Sequence, residues 1–248
     1  MYRFSDLWTH IVWRFLRFRY LLSSSPISRT IDGVTAVFAI SSFREFLRAV
    51  DYHDEAPLVE RLLEAAQPDD VFWDVGANTG THSCFVGQRV SSVIALEPHP
   101  GNAERARENL ELNRVTATVI EYALGDQAGY TKLRLPRGDT DEVGLGTFTL
   151  RQTSESTEIE SVKIVSGDSL LYEQGLSPPD ILKIDVEGSE LEVLRGFREG
   201  VSNARVVAVE VHPEFADVDS VTEFLETVGF DIEILRRRND EIQLLARS

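Results

Sequence analysis

Apolar and polar positions follow two regimes along this 248-residue chain. From residue 71 onward, short continuous apolar runs stand at Val71 to Val75, Val93 to Leu96, Ile181 to Ile184 and Val206 to Val211, with a mixed run at Thr116 to Glu121. Continuous runs of this length read as strands buried on both faces, and apolar residues recurring every three or four positions read as helices lying across them. That spacing predicts helices over Leu58 to Ala66, Thr81 to Arg89, Pro100 to Asn113, Ser189 to Arg195 and Val218 to Val228. The alternation implies an α/β chain with a mainly parallel sheet between two helical layers. Its end departs from the rule: Phe230 to Leu235 and Glu241 to Ala246 flank the polar run Arg236-Arg237-Arg238-Asn239-Asp240. Two consecutive strands around a polar turn form a hairpin, so the sheet gains an antiparallel edge and reaches seven strands.

The first 22 residues follow a different pattern, with seven aromatics and four arginines against the single acid Asp6. On a helix, Arg3, Asp6, His10, Arg14 and Arg17 share one sector, and Phe4, Leu7, Trp8, Ile11, Val12, Phe15, Phe18 and Leu22 cover the opposite side, with Arg19 the exception. The segment is too short and too charged to span a bilayer, and no signal-type cleavage site follows it. An arginine-bearing face opposite Trp and Phe is the pattern of a helix lying in a membrane interface. A helix packed on its own domain or on a partner subunit has the same pattern, and both readings stand. Ser23-Ser24-Ser25-Pro26 reads as a linker, and Ile27 to Ile40 as a hairpin turning at Asp32-Gly33. The expected division is therefore an amphipathic helix over 1–22, a hairpin and helix extension over 23–57, and the main domain over 58–248. Within that domain, Tyr130 to Val165 forms a long insertion with strand-like pieces at Thr131 to Leu135, Leu145 to Leu150 and Ser161 to Val165.

Charge narrows the partners. Acids outnumber bases 41 to 25, which speaks against a nucleic-acid backbone as ligand. Only three lysines occur, and the acids are spread along the chain, the pattern expected of a surface adapted to high salt or of an ordinary acidic enzyme. The single Cys84 excludes an intrachain disulfide and suits a reducing cytosol, with peripheral contact at the inner face of the membrane if the first helix binds there. Oligomeric state is not legible.

Candidate chemistry begins where the first core strand meets a turn, at Asp74-Val75-Gly76-Ala77-Asn78-Thr79-Gly80. An acid, Glu97, ends the next strand 21 positions after Gly76. A strand, a glycine turn and such an acid bind the ribose of an adenosyl cofactor, whether a dinucleotide or S-adenosylmethionine. The glycine spacing lacks the G-x-G-x-x-G cradle for a pyrophosphate, and the acids suit a ligand that carries an ammonium and a sulfonium. Two further strands finish in ionisable residues, Asp185 and Glu187 on one, Glu210 and His212 on the other. In open parallel sheets ligands bind beyond the carboxyl ends of strands, so both clusters should face one crevice. Lys183, inside a strand covered on both faces, requires a partner, and Asp185 or Glu210 is expected to supply it.

The chain resembles the FkbM family of S-adenosylmethionine-dependent methyltransferases over about Asp51 to Leu235. The motifs that carry the resemblance are Asp74 to Gly80, Glu97-Pro98, Ala123-Leu124-Gly125-Asp126 and Lys183-Ile184-Asp185-Val186-Glu187-Gly188 with Ser189-Glu190-Leu191. It implies a class I Rossmann-like fold, in which the terminal hairpin is usual, and methyl transfer to an oxygen of a sugar, glycan or small metabolite. By position, Asp74, Gly76, Ala77, Asn78 and Gly80 would surround the methionine part, Glu97 the ribose and Asp126 the adenine, while Tyr52 and Glu55 would close over the cofactor. Asp185 would be the site acid. An alcohol acceptor needs a base, for which Asp185 is the first candidate and His212 the second, with Glu187 orienting the acceptor or capping a helix. Two alternatives remain: a divalent cation held by Asp185, Glu187, Glu210 and His212, and a membrane-associated protein of this fold without turnover. No N/D-P-P-[YFW] motif of base-amine methylation is present.

Overall fold

In this computed structural model the chain opens with helix α1 (Arg3–Leu22), the hairpin β1 (Ile27–Ile31) and β2 (Val34–Phe38), and α2 (Phe43–Ala49). The structure describes residues 3–50, 55–136, 143–145, 148–151, 156–238 and 241–248, with the backbone alone for residues 3–11. After α3 (Ala56–Ala65) comes the alternation β3 (Val71–Val75), α4 (Thr81–Val86), β4 (Ser92–Leu96), α5 (Pro100–Leu112) and β5 (Ala117–Ile120). A small sheet of β6 (Tyr122–Leu124), β7 (Gly129–Pro136) and β8 (Ser156–Val165) interrupts it. The chain then returns through α6 (Gly167–Gln174), β9 (Ile181–Ile184), α7 (Glu190–Gly196), α8 (Arg198–Asn203), β10 (Val206–Val211) and α9 (Val218–Val228), and ends in the hairpin β11 (Asp231–Arg237) and β12 (Ile242–Arg247).

The main sheet has seven strands in the order β11-β12-β10-β9-β3-β4-β5. Those from β10 to β5 are parallel, and β12 runs antiparallel to both β10 and β11. This is the class I Rossmann-like sheet that the sequence led one to expect. Consecutive residues of β3 serve opposite layers, because strand side chains alternate. Trp73 packs with Phe197 and Leu194 below the sheet, whereas Phe72 packs with Leu62 and Val86 above it. All are 1% exposed or less, and each such side chain contributes about 1.5–3 kcal/mol of burial. The chain runs outward from β3 to β4 and β5 and then comes back to β9 on the other side of β3. That reversal opens a crevice at the carboxyl ends of β3 and β9.

The 23–57 extension has no core of its own. Ile31, Ala36, Phe38 and Phe46 pack with Val59, Leu63, Phe85 and Leu110 of the main domain, so the expected boundary at residue 57 does not divide two cores. Asn109 and Asn113 at the end of α5 bond the backbone of Ala39 and Val37, which fixes the extension's register. In the insertion, the strand expected over Leu145 to Leu150 is reduced to a single bridge between Thr149 and Arg134 among the described residues.

Candidate active site

The glycine turn is built from below. Asp74, fully buried, accepts a hydrogen bond from the Ser83 hydroxyl at 2.7 Å and lies 3.1 Å from the Lys183 ammonium. Lys183 stands opposite Asp74 in the β3–β9 register, donates to the Gly76 carbonyl at 2.9 Å and lies 3.5 Å from Asp185. Burial lowers its proton affinity, but the charges of Asp74 and Asp185 outweigh that and raise its pKa, so it stays an ammonium. Its main partner is therefore Asp74, where the sequence pointed to Asp185 or Glu210. Glu210 instead accepts from Gln243 Nε2 at 2.6 Å. Gly76 has φ +77°, and a Cβ there would stand 1.8 Å from the Asp185 carbonyl oxygen, so only glycine lets β3 and β9 approach so closely.

A cavity of about 1370 Å³ opens above this turn. Gly76, Ala77 and Asn78 line it, as do Glu55, Glu97, Asp185, Glu187 and His212. Three expected site residues take other places. Asp74 lies beneath the turn as the anchor of Lys183 and Ser83 and is not part of the wall. Gly80, with φ +82°, is the N-cap of α4 against Ala106. Asp126 is exposed beside Gly196 of α7 and does not line the cavity, because the β6–β8 pairing carries it away. Tyr52 lies outside the described residues.

Glu97 faces the cavity with its carboxylate already oriented by the backbone NH groups of Asn78 and His99, each at 2.8 Å. Burial pushes its carboxyl up to about 7 against those two bonds. Among the buried polar atoms in the wall, His82 Nε2 and Asn102 Nδ2 have no hydrogen-bond partner among the described residues. Burying an unmatched polar atom costs about 1–3 kcal/mol, so these positions fit a polar ligand that supplies the partner. The sequence reading missed both, although His82 lies two residues past the turn and Asn102 one turn into the helix after Glu97-Pro98.

On the other side, His212 is held between two acids. Its Nδ1 is 2.9 Å from Glu190 Oε1 and its Nε2 is 3.2 Å from Glu187 Oε2. Glu190, fully buried, also accepts the Gly188 NH, so the segment after β9 and the imidazole share one anchor. Burial lowers the His212 pKa, but the hydrogen bond to Glu190 and the charges of Glu187 and Asp185 raise it to about 10. Burial pushes Glu187 up to about 8 despite His212, and Glu210 up to about 8 with Asp185 adding repulsion. The Glu187–His212 pair thus holds a proton near neutrality. A protonated pair suits donation or relay, where the sequence offered His212 as the second candidate base. Asp185, Glu187 and His212 can each direct one donor atom to within 4.8 Å of the others, a spacing that could hold a cation.

The insertion covers this end. Asn78 Nδ2 donates to the Leu145 carbonyl, the Thr149 hydroxyl to the Glu187 carbonyl, and Arg151 Nε to the Gly188 carbonyl, all at 2.7–2.8 Å. These ties draw the insertion to both halves of the crevice.

The family described as Methyltransferase FkbM domain matches residues 74–232. The chain belongs to the FkbM methyltransferase family. It is 32% identical over 223 residues to the hexuronic acid methyltransferase AglP of Haloferax volcanii, spanning 90% of this chain and 89% of that protein. It is also 29% identical over 234 residues to the 31-O-demethyl-FK506 methyltransferase FkbM of Streptomyces tacrolimicus, over 82% and 88% of the two chains. Among solved structures, magnesium protoporphyrin IX methyltransferase from Synechocystis PCC 6803, with bound SAM, shares the fold at a TM-score of 0.51 and 14% identity, over 85% of this chain and 86% of that one. The chain is an S-adenosylmethionine-dependent methyltransferase.

Proposed function

We propose that the cavity transfers a methyl group to a hydroxyl of an acidic sugar or a related small metabolite. One observation carries the reading: strand ends from β3, β4, β9 and β10 bring Gly76, Glu97, Asp185 and His212 to one cavity. The backbone of Gly76 to Asn78 would hold the methionine part of the cofactor and Glu97 its ribose. His82 and Asn102 would satisfy its remaining polar groups. When bound, S-adenosylmethionine supplies an electrophilic methyl group.

Asp185 would accept the acceptor's hydroxyl proton. Lys183, fixed by Asp74, holds it at the strand end, and a carboxylate so positioned gains from proximity what it lacks in basicity. The protonated Glu187–His212 pair would orient the acceptor by donating to its oxygens. The acidity of the acceptor is supported by the wall from α1 and α2. In a chain with a net charge of −16, that wall presents Arg17 and Arg44 beside Trp13 and Phe43, with Arg48 paired to Glu55 at 2.6 Å. Guanidinium forks match carboxylates, and aromatic faces match sugar rings. That AglP is a hexuronic acid methyltransferase points the same way.

The test offers labelled S-adenosylmethionine with uronic-acid glycosides and their uncharged counterparts. Label is expected on the acidic sugars, and Asp185→Asn should lower kcat about 100-fold or more with cofactor affinity unchanged. Equal labelling of neutral sugars would remove the arginine argument. The convergence of Asp185, Glu187 and His212 favours a second mechanism, in which a divalent cation lowers the hydroxyl's pKa. Turnover unaffected by EDTA sinks that mechanism.

A further inference from the structure

The helix α1 is packed by the wrong face for a domain helix. Leu16 is buried, and Tyr20 packs on Phe43 and Phe46 with ring centroids 5.6 and 5.7 Å apart. Trp13 meets Phe43 at 5.5 Å. These three residues lie on one side of the helix. Phe15, Phe18 and Leu22 lie in a sector turned away from it at about 100° per residue, with Val12 at the edge beside Leu16, and all are exposed: Val12 40%, Phe15 57%, Phe18 59% and Leu22 71%. Leu21, at 77%, extends the apolar surface. Over residues 12–22, the sector the sequence marks as apolar is thus the one the fold leaves uncovered.

We infer that this face docks on an anionic bilayer surface. The helix carries four arginines and one acid in a chain whose acids exceed its bases by 16, so its charge is opposite to that of the body it is mounted on. A second copy of the chain is a poor occupant: pairing two such helices would bring their arginines together and set two strongly acidic bodies side by side. A bilayer with anionic headgroups offers apolar depth and negative charge together. An interfacial helix sinks about 5–10 Å, enough to bury Phe15 and Phe18 while Arg14 and Arg19, exposed on either flank of that sector, reach phosphates. Repulsion of the acidic body is confined by screening to about 8 Å at physiological ionic strength, so it does not cancel the attraction at the helix.

The placement has a consequence for delivery. Trp13 and Arg17, on the inner flank of α1, line the cavity. A docked helix therefore sets one wall of the cavity at the bilayer surface, where an acceptor carried on the membrane would meet it. This consequence rests on the proposed function, whereas docking itself does not.

Flotation of the full chain with phosphatidylglycerol-containing vesicles tests the docking, with phosphatidylcholine vesicles and Phe15→Ser/Phe18→Ser as comparisons. Both phenylalanines are exposed, so the double variant should fold and bind S-adenosylmethionine as the parent does in calorimetry. The parent is expected to float with anionic vesicles, and the variant's bound fraction should fall about tenfold or more. A parent that stays at the bottom with every vesicle, or a variant that floats equally well, overturns the inference. So does a parent dimer by light scattering that the double variant makes monomeric without any flotation. Failure of the methyl-transfer assay leaves these outcomes unchanged, so the two readings fail separately.

Discussion

At the scale of single residues, what matters is the space a side chain leaves and the proton it holds. Gly76 and Gly33 have nearly the same φ, +77° and +73°, but a Cβ at Gly76 would strike the Asp185 carbonyl at 1.8 Å while one at Gly33 would meet nothing within 4 Å. Left-handed strain alone costs about 1–2 kcal/mol, so Gly33→Ala should lower Tm by no more than a few degrees. Gly76→Ala adds a backbone collision between the two central strands and should cost about 4 kcal/mol or more, with cofactor binding lost. Equal melting of the two variants would refute the claim that close approach fixes Gly76. Glu97 offers a pH reading. Its folded carboxyl titrates at about 7, above its ordinary 4.5, so the protonated form's contribution to stability is full below 4.5 and lost as pH rises through 7. Cofactor binding has the opposite sign, because a cationic ligand selects the ionised carboxylate. Affinity for S-adenosylmethionine should rise about tenfold from pH 6 to 8, and Glu97→Gln should flatten that profile in calorimetry.

At the scale of elements, the parallel core was legible because its strands are continuous apolar runs that neither face leaves wet. Strands β3, β4, β9 and β10 fall within a residue of expectation, and α9 matches its predicted span. Helices α6 and α8 were not legible. The apolar residues of α6, Leu170, Leu171 and Tyr172, stand side by side and show no helical period, and α8 follows α7 with only Phe197 between them. Helix α2 lies in the extension where a helix was expected, but its span was not legible: its capping box, Ser42 with Glu45, sits in a stretch whose apolar residues serve the extension's shared core. The site was legible at its strand ends. Asp185, Glu187 and His212 do meet, since parallel neighbours end on the same side. Asp74 and Asp126 were misplaced because a motif gives position along the chain and not direction: Asp74 points beneath the turn, and Asp126 follows a strand that leaves the main sheet. The ties of the insertion to Asn78, Glu187 and Gly188 had no local signature, because each joins residues 37 to 67 positions apart.

At the scale of the whole molecule, charge is the dominant unbalanced quantity. The net charge of −16 is spread over the body, and burial with mutual repulsion pushes Glu187 and Glu210 up to about 8. Added salt has two opposing effects on such a molecule. It weakens surface pairs such as Arg61–Glu233 and Arg107–Glu121, each worth about 0–1 kcal/mol, and it screens repulsion among acids that outnumber the available bases. The second effect should win, since every arginine and lysine could be paired and 16 acids would still repel. The screening length falls from about 10 Å at 0.1 M to about 3 Å at 1 M, so most of the gain should come below about 0.5 M. Melting followed by calorimetry across KCl concentrations should therefore rise steeply by roughly 5 °C and then level, at about 2–4 °C per kcal/mol for a chain of this size. A linear rise up to 2 M would point to general exclusion of salt from the surface, with charge playing no special part. A Tm that is flat or falls with KCl would show that the acidic body is stabilised by its own ion pairs, and the adaptation to salt would have to be given up.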